Sequence, residues 1–433
     1  MDHIPTLPAD AGAGAPAGAP LPVAVVGAGA AGLLAALFAA RSGAPVVLLE
    51  RTTDGGRKIL ISGGGRCNIL PSVAQPARYV TASSPNTLRK ILLSWPLAEQ
   101  RAFFEAELGM PLVREEETGK LFPSSQRARD VRDTLLARVR EAGARVWLGA
   151  KVTGLAPLPA EGPGGRSWLV TVEGAPPLHA AAVVLATGGL SVQATGSDGA
   201  GLALARALGH DVHPTYPALT PLTAHPHPHA ALAGISLTVT LRAPGTKPPF
   251  ETTDGFLVTH RGWSGPAVLD ASHLAVRGRP DGARQEILVQ WTPRGPEAWD
   301  SDLAAGGQAT ARSALTPWLP RRLADHLCAE VRVDPDTRLA QLRREERHAL
   351  VAALTAYPLP WTGDEGYRKA EVTGGGVALS EADPRTLESR RTPGLFFCGE
   401  VLDAFGPIGG HNFLWAWSTG RAAGLGAAAR AAS

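Results

Sequence analysis

Val23-Ala24-Val25-Val26-Gly27-Ala28-Gly29-Ala30-Ala31-Gly32 is an apolar, β-rich run entering a glycine-rich turn, and an apolar helix-like run follows from Leu33 to Ala40. Strand, turn and helix in this order form the unit that cradles the pyrophosphate of a dinucleotide. Gly27 permits the tight turn, Gly29 lets backbone approach phosphate, and Gly32 lets the helix sit close on the strand. Exposed N–H groups and the dipole at the helix N-terminus favour the anion. Gly27, Ala28, Gly29, Ala30, Ala31 and Gly32 are therefore candidate cofactor-binding residues. In a chain with 50 glycines such a turn also arises by chance in an ordinary buried strand–helix–strand unit, so its surroundings decide. Ala44-Pro45-Val46-Val47-Leu48-Leu49 reads as a second strand and ends on Glu50, 23 residues after Gly27. That is near the spacing of about 20 expected of a carboxylate that takes a ribose hydroxyl. An acid there repels a 2′-phosphate, so the tightly held nucleotide is expected to be FAD or NAD, not NADP.

The chain has 433 residues, enough for two or three domains, with 44% hydrophobic and 19% charged residues as in ordinary globular proteins. Its net charge of +3 is small and its cations are scattered, so no nucleic-acid partner is expected. Cys67, Cys328 and Cys398 form no CxxC pair, which speaks against dithiol redox chemistry and for a reducing compartment. Residues 1–20, rich in Ala, Gly and Pro, lack a basic start and an apolar core, so a disordered leader is expected rather than a secretory signal. No apolar run is long enough to span a bilayer, and a cytoplasmic location away from membranes is the expectation.

After Glu50, residues 51–68 carry five glycines and four cations in one loop-like segment anchored by Ile59-Leu60-Ile61. Such a loop can lay N–H groups and positive charge along phosphates and a flavin edge. Arg51, Arg57, Lys58, Ser62, Gly63, Gly64, Arg66, Cys67 and Asn68 join the cofactor candidates, with Cys67 read as a small buried residue rather than a nucleophile. Residues 86–108 read as helix broken near Trp95-Pro96. Short strands at 112–114 and 120–122 flank Glu115-Glu116-Glu117, read as a solvated turn. A helix over 127–141 leads to a parallel strand at 145–148. Strands at about 151–157 and 167–173 follow, separated by a Gly/Pro-rich turn, and Val152 joins the cofactor candidates. Ala181–Leu185 is a buried strand whose small-residue turn, Ala186-Thr187-Gly188-Gly189, is expected to close over the nucleotide. Gly196-Ser197-Asp198-Gly199 caps a helix from Ala200 to Leu208.

From 210 to 365 proline becomes frequent. Strands are expected at 235–241 and 287–291, with a strand and turn entering a helix over 256–266 and helices over 319–356. His225-Pro226-His227-Pro228-His229 reads as a polyproline-like surface loop, and no metal site is expected. At about 366 the chain returns to its first domain. Pro393–Asp403 is a buried strand ending in Gly399 and Glu400. Gly409-Gly410-His411-Asn412-Phe413 leads into a helix at about 414–430. Glu400 and Asp403 are expected to hold a ribityl chain or adjoining backbone. Residues Gly409 to Phe413 are expected to face a pyrimidine ring, where a helix N-terminus stabilises negative charge.

The stretches GAGAAGLLAA, GGRKILISGGGRCN, ATGG with TGSDGAG, and GLFFCGEVLDAFGPIGGHNFLWAWSTGRAAG together resemble a family of bacterial FAD-dependent oxidoreductases. That family includes aminoacetone-oxidase-like and 3-dehydro-bile-acid-reductase-like proteins, and the likeness covers nearly all of residues 21–430. It implies an α/β fold. A Rossmann-like FAD-binding domain in two segments (21–209 and 366–433) is interrupted by a β-barrel domain (210–300, closing near 357–370) and a helical subdomain (301–356). The fold more distantly resembles that of fumarate reductases. Two departures stand out: His411 where Tyr is expected in the GG-x-N step, and Ile69-Leu70 after Asn68 where Thr or Ser followed by Asn is usual.

The expected activity is hydride transfer between flavin N5 and a small organic substrate, as NAD(P)H-linked reduction of an activated C=C bond. NAD(P)H would be a transient donor, because no second dinucleotide fingerprint is present. His411 and Arg66 are the candidates for orienting substrate or stabilising charge. Alternatives are a flavin amine oxidase using oxygen, and a flavin-containing RNA- or partner-binding protein.

Overall fold

The computed structural model describes residues 20–159, 166–278 and 284–433. The expected leader, and the Gly/Pro-rich turn between the strands after 151, lie outside the described residues apart from their margins. The described chain forms two compact units, residues 20–215 with 372–433, and residues 216–371. Both joins fall a few residues later than the sequence suggested.

The first unit is built on five parallel strands in the spatial order Leu395–Phe397, Ala182–Leu185, Val23–Val26, Val46–Glu50 and Arg145–Leu148. Four of these are buried along their whole length, as continuous Val/Leu/Phe runs require when both faces are covered. The last strand of the chain therefore pairs beside the strand that precedes the 186–189 turn, and the two ends of the sequence share one sheet. Helix Ala30–Arg41 is apolar all round because the sheet covers one side and the C-terminal helix His411–Ala431 covers another. A Cβ on Gly420 would lie 2.4 Å from the Ala31 carbonyl oxygen, and one on Gly424 2.4 Å from that of Ala35, so only glycine allows this approach. The contacts advance together along both helices, so the two run parallel.

Smaller antiparallel sheets complete this unit. Leu70–Pro71, Lys120–Pro123 and Leu112–Arg114 form one, and Val152–Pro159, Arg166–Val172 and Leu178–Ala180 form another. The third strand of the latter has no period-two signal beyond three residues and was not expected. The C-terminal helix starts at His411, three residues earlier than expected, because Gly410 in the left-handed region turns the chain into it.

The second unit holds a seven-stranded antiparallel sheet in the order 357–358, 288–290, 236–243, 250–258, 262–264, 222–223, 363–364. The two edge strands are not laddered to each other as in a closed barrel. Instead one segment bridges them: the Leu359 N–H donates to the Ile287 carbonyl (2.8 Å) and that of Thr362 to the Thr223 carbonyl (2.7 Å). Helix Pro266–Arg277 packs on this sheet through Ala267, Val268 and Ala271. Further helices are Pro296–Ala304, Ala311–Leu315, Arg321–Glu330 and Arg344–Thr355, so helical structure begins before residue 301 and the expected run over 319–356 is interrupted.

Candidate functional site

Gly27 closes the first strand at φ +103°, and Gly32 lies so close to it that an added Cβ would sit 1.8 Å from the Gly27 oxygen. Gly29 differs: a Cβ there would meet nothing within 4 Å, and its backbone is ordinary extended chain. Nothing in the polypeptide asks for glycine at position 29, whereas a phosphate resting on the backbone does. Helix Ala30–Arg41 has no side-chain cap and no acid in its first turn, so its leading N–H groups remain available for an anion.

The C-terminal helix has the same kind of start: Gly410 as N-cap, no side-chain cap, no acid in the first turn. Since the helices are parallel and Ala31, one residue into its helix, lies against Gly420, nine residues into the other, the second start lies about eight residues further out on the N-terminal side, or ~12 Å at 1.5 Å per residue. Two uncapped N-termini thus point the same way with an offset between them. An elongated ligand with an anionic middle and an electron-rich ring at one end fits that arrangement, as FAD does.

The segment from Gly55 to Asn68 joins the two starts. Lys58 Nζ donates to Glu400 Oε2 (2.5 Å) and Ser191 Oγ (2.7 Å). Glu400 Oε1 accepts from Ser191 Oγ (2.7 Å) and the Thr373 N–H (2.9 Å). The Glu400 side chain is 17% exposed. Burial works to raise its pKa, but the Lys58 charge and these hydrogen bonds outweigh it and hold the carboxyl below its usual range. Asn68 donates to the Leu70 carbonyl (3.1 Å) and accepts from the Gly410 N–H (3.0 Å) in the amide orientation that satisfies both ends. Trp417 Nε1 donates to the Ile69 carbonyl (3.0 Å) and Trp415 Nε1 to that of Gly399 (3.1 Å). The C-terminal helix thereby fixes both glycine-rich segments.

Other candidates have partners within the chain. Glu50 accepts from the Ala28 N–H (2.7 Å) with one oxygen, and from the Thr52 N–H (2.8 Å) and hydroxyl (2.7 Å) with the other. It braces the glycine turn while keeping lone pairs for a ribose. Arg51 pairs with Asp198, and Arg57 with Asp54 (2.6 Å). Ser62 Oγ donates to the Ile59 carbonyl (2.8 Å), and Gly63 and Gly64 are exposed with positive φ. Cys67 is buried, and burial pushes its thiol up to about 12 against a smaller opposing effect of Ser62, so it is no nucleophile at neutral pH. Val152 is buried and pairs with Val172; two residues before it, Ala150 donates to the Glu50 carbonyl (2.8 Å). Ala186, Thr187 and Gly188 follow the strand beside Val23–Val26, and Gly399 lies near Ala31. Gly409 lies over Lys120, and Phe413 stacks on Trp417 at 5.2 Å.

Three expectations change, and that for Asp403 takes one of its two forms. Asp403 is 2% exposed and its Oδ2 accepts from Thr81 Oγ1 and Ser83 Oγ and from the Ala82 and Ser83 N–H groups, all at 2.8–2.9 Å. It holds adjoining backbone, one of the two roles expected of it. Asn412 bonds both backbone groups of Gly406 (2.9 and 3.0 Å) and so shapes its own loop. Arg66 is half exposed, bound to Glu115 (3.0 Å) and over the Phe122 ring (4.1 Å), so Glu115 is an ion-pair partner rather than part of a merely solvated turn. In the second unit His229 is fully buried, so the 225–229 run is a surface loop only in its first part. Trp263 Nε1 donates to His229 Nδ1 (3.1 Å). In neutral His229 the proton therefore sits on Nε2, which bonds the Tyr357 hydroxyl (2.9 Å), and that hydroxyl donates to Glu330 (3.1 Å). His229, His326 and Glu330 bring three potential metal ligands together, but this pattern makes His229 Nε2 a donor rather than a ligand.

Among the described residues no helix is long and apolar enough to cross a membrane. Residues 21–426 match the family described as HI0933-like protein Rossmann domain. The chain is 33% identical to a 3-dehydro-bile acid delta(4,6)-reductase of Clostridium scindens, over 94% of this chain and 99% of that one. It is 32% identical to a ribosomal RNA dihydrouridine synthase of Escherichia coli, over 91% and 95%. Among solved structures, the open conformation of a flavocytochrome c3 fumarate reductase shares the fold, with a TM-score of 0.50 at 18% identity, covering 95% of this chain and 79% of that one.

Proposed function

The chain belongs to the HI0933-like Rossmann family and is an FAD-dependent oxidoreductase, and from that premise we propose that it saturates a C=C bond conjugated to a carbonyl, with NAD(P)H as transient donor. FAD supplies the hydride chemistry at its N5. The polypeptide supplies position and charge. The helix start at Gly29 would hold the pyrophosphate, Glu50 the ribose, Lys58 with Glu400 the middle of the cofactor, and the helix start at Gly410 the pyrimidine end. The observation that carries the cofactor half is the open space at Gly29, a glycine that the protein itself does not need. The bond class is supported by the two relatives, each of whose names describes saturation of a C=C bond in a ring bearing a carbonyl.

Anaerobic titration of the FAD-loaded protein with NADH and NADPH tests the reading. The flavin band, at about 450 nm for the free ring, should bleach with one of them and return on adding a cyclic enone. Bleaching by a primary amine with peroxide release, and none by nicotinamides, would instead establish the amine oxidase. The E. coli relative favours a second substrate, the uracil ring of ribosomal RNA. Cations and acids balance over residues 216–371, so that unit carries no net positive charge to draw RNA. Loss of dihydrouridine from ribosomal RNA on deleting the gene would select the RNA substrate.

A further inference from the structure

His411 is the first residue of the C-terminal helix and is 6% exposed. Its Nδ1 is buried and has no hydrogen-bond partner. Such an atom is destabilising unless something pairs with it. The groups around it are already engaged. The Tyr79 hydroxyl donates to the His411 carbonyl oxygen (2.8 Å), and the two rings meet edge to face at 5.8 Å. Asn412 is turned onto Gly406, and Asn68 onto Gly410 and Leu70. A Cβ on Gly406 would stand 2.6 Å from that of His411, so the imidazole is packed in place. Burial, with Arg78 adding to it, draws the ring's pKa down to about 4, so it is neutral at physiological pH. A neutral imidazole at a helix N-terminus is a polariser of oxygen: it offers an N–H while the helix adds positive potential.

We propose that His411 carries its ring proton on the unpartnered Nδ1 and holds it for an oxygen atom that gains negative charge on hydride transfer. Two sources share that chemistry, the C2 oxygen of the flavin and the carbonyl oxygen of the substrate. The inference rests on FAD being bound here, and it assigns the side chain at which this sequence departs from the Tyr of the resembling family.

The test uses the full-length, FAD-loaded protein and the variants His411→Met and His411→Gln. The Met variant fills the space without an N–H, and the Gln variant keeps one. Sulfite, which adds to flavin and builds negative charge toward C2, probes the flavin source. Para-chlorophenol, whose phenolate imitates an enolate oxygen, probes the substrate source. Loss of a hydrogen bond to charged oxygen corresponds to roughly tenfold or more in affinity. His411→Met should weaken one of the two ligands by about that factor, with His411→Gln near the parent. A weaker sulfite adduct assigns the flavin oxygen, and a weaker phenolate complex assigns the substrate oxygen. If both constants stay within threefold in both variants, the proposal is overturned. If His411→Met does not fold, the Gln variant beside His411→Asn, whose amide falls short of the imidazole's reach, gives the same comparison. A parent protein that takes up no FAD would instead overturn the cofactor reading itself.

Discussion

Lys58 and Glu400 stand 342 positions apart in the chain and form an ion pair of 2.5 Å. Both are largely shielded, and Ser191 and the Thr373 N–H complete the carboxylate's partners. Removing Lys58 leaves a mostly buried carboxylate without its countercharge. Lys58→Met should cost about 2–4 kcal/mol, toward the range for breaking a buried pair. Glu400 has a depressed folded pKa, so its stabilisation is present above its unfolded value of 4.5 and is lost as pH falls through the folded one. Urea unfolding should show the parent–variant gap at pH 7 and a smaller gap at pH 3.5. An equal gap at both would refute the pair's electrostatic role.

The glycine turn separates folding from binding. Gly32→Ala places a methyl 1.8 Å from the Gly27 oxygen and should abolish the fold. Gly29→Ala meets no protein atom and requires no strained φ, so the protein without cofactor should keep its stability within about 0.5 kcal/mol. FAD affinity should nevertheless fall by at least tenfold, because the methyl occupies the phosphate's place. Fluorescence titration with FAD beside thermal melting of the apoprotein reads both. Unchanged affinity would move the pyrophosphate elsewhere.

Asp403 offers the opposite contrast. Asp403→Ala leaves two N–H groups and two hydroxyls of the half-buried segment 81–83 without their acceptor, and about 1–3 kcal/mol of stability should go. Once folded, the variant should bind FAD within a few-fold of the parent. A large loss of affinity at full stability would restore the ribityl role.

What the sequence revealed and what it hid follow from the range of the interactions. The turn from Gly27 to Gly32, the acid at Glu50 and the buried strand before Gly399 are local patterns set by backbone sterics, so they read directly. The partners of Asp403 come from residues more than 300 positions earlier, and no spacing rule announces them. His229 looked exposed because its neighbours in sequence are prolines. Its neighbours in space are Trp263 and Tyr357. One legible signal was passed over: Gly420 and Gly424, four residues apart in an apolar helix, mark a close helix–helix approach.

The network around His229 makes its own prediction. Tyr357 links a loop, a strand and a helix through one hydroxyl, between His229 Nε2 and Glu330 Oε1. Tyr357→Phe removes that oxygen and leaves the His229 N–H buried without its partner, for about 1–3 kcal/mol. Zinc added to the parent should leave the melting temperature unchanged, since His229 presents a proton rather than a lone pair. A zinc-dependent rise of several degrees that His326→Ala removes would reverse that assignment.

Acid sensitivity should begin with histidines rather than carboxylates. His273 in the second unit and His411 in the first are each 6% exposed, and burial is the leading cause that draws both down to about 4 from 6.5. Between those values the unfolded chain binds protons that the folded one refuses, so stability falls as pH drops through that window and levels below about 4. The carboxyls of Glu400 and Glu381 are shifted the other way and withdraw stability only below about 4.5. The interval from pH 6.5 to 5 therefore isolates the imidazoles. Each should cost about 2 kcal/mol by pH 5, at 1.36 kcal/mol per pH unit below 6.5. His273 Nδ1 lies 2.8 Å from the Asp270 carbonyl oxygen, and a glutamine can keep that bond without titrating. His273→Gln should accordingly flatten the decline in urea midpoint of the second unit between pH 7 and 5, while His411→Gln does the same for the first. A decline of full steepness in both variants would place the acid sensitivity on other groups.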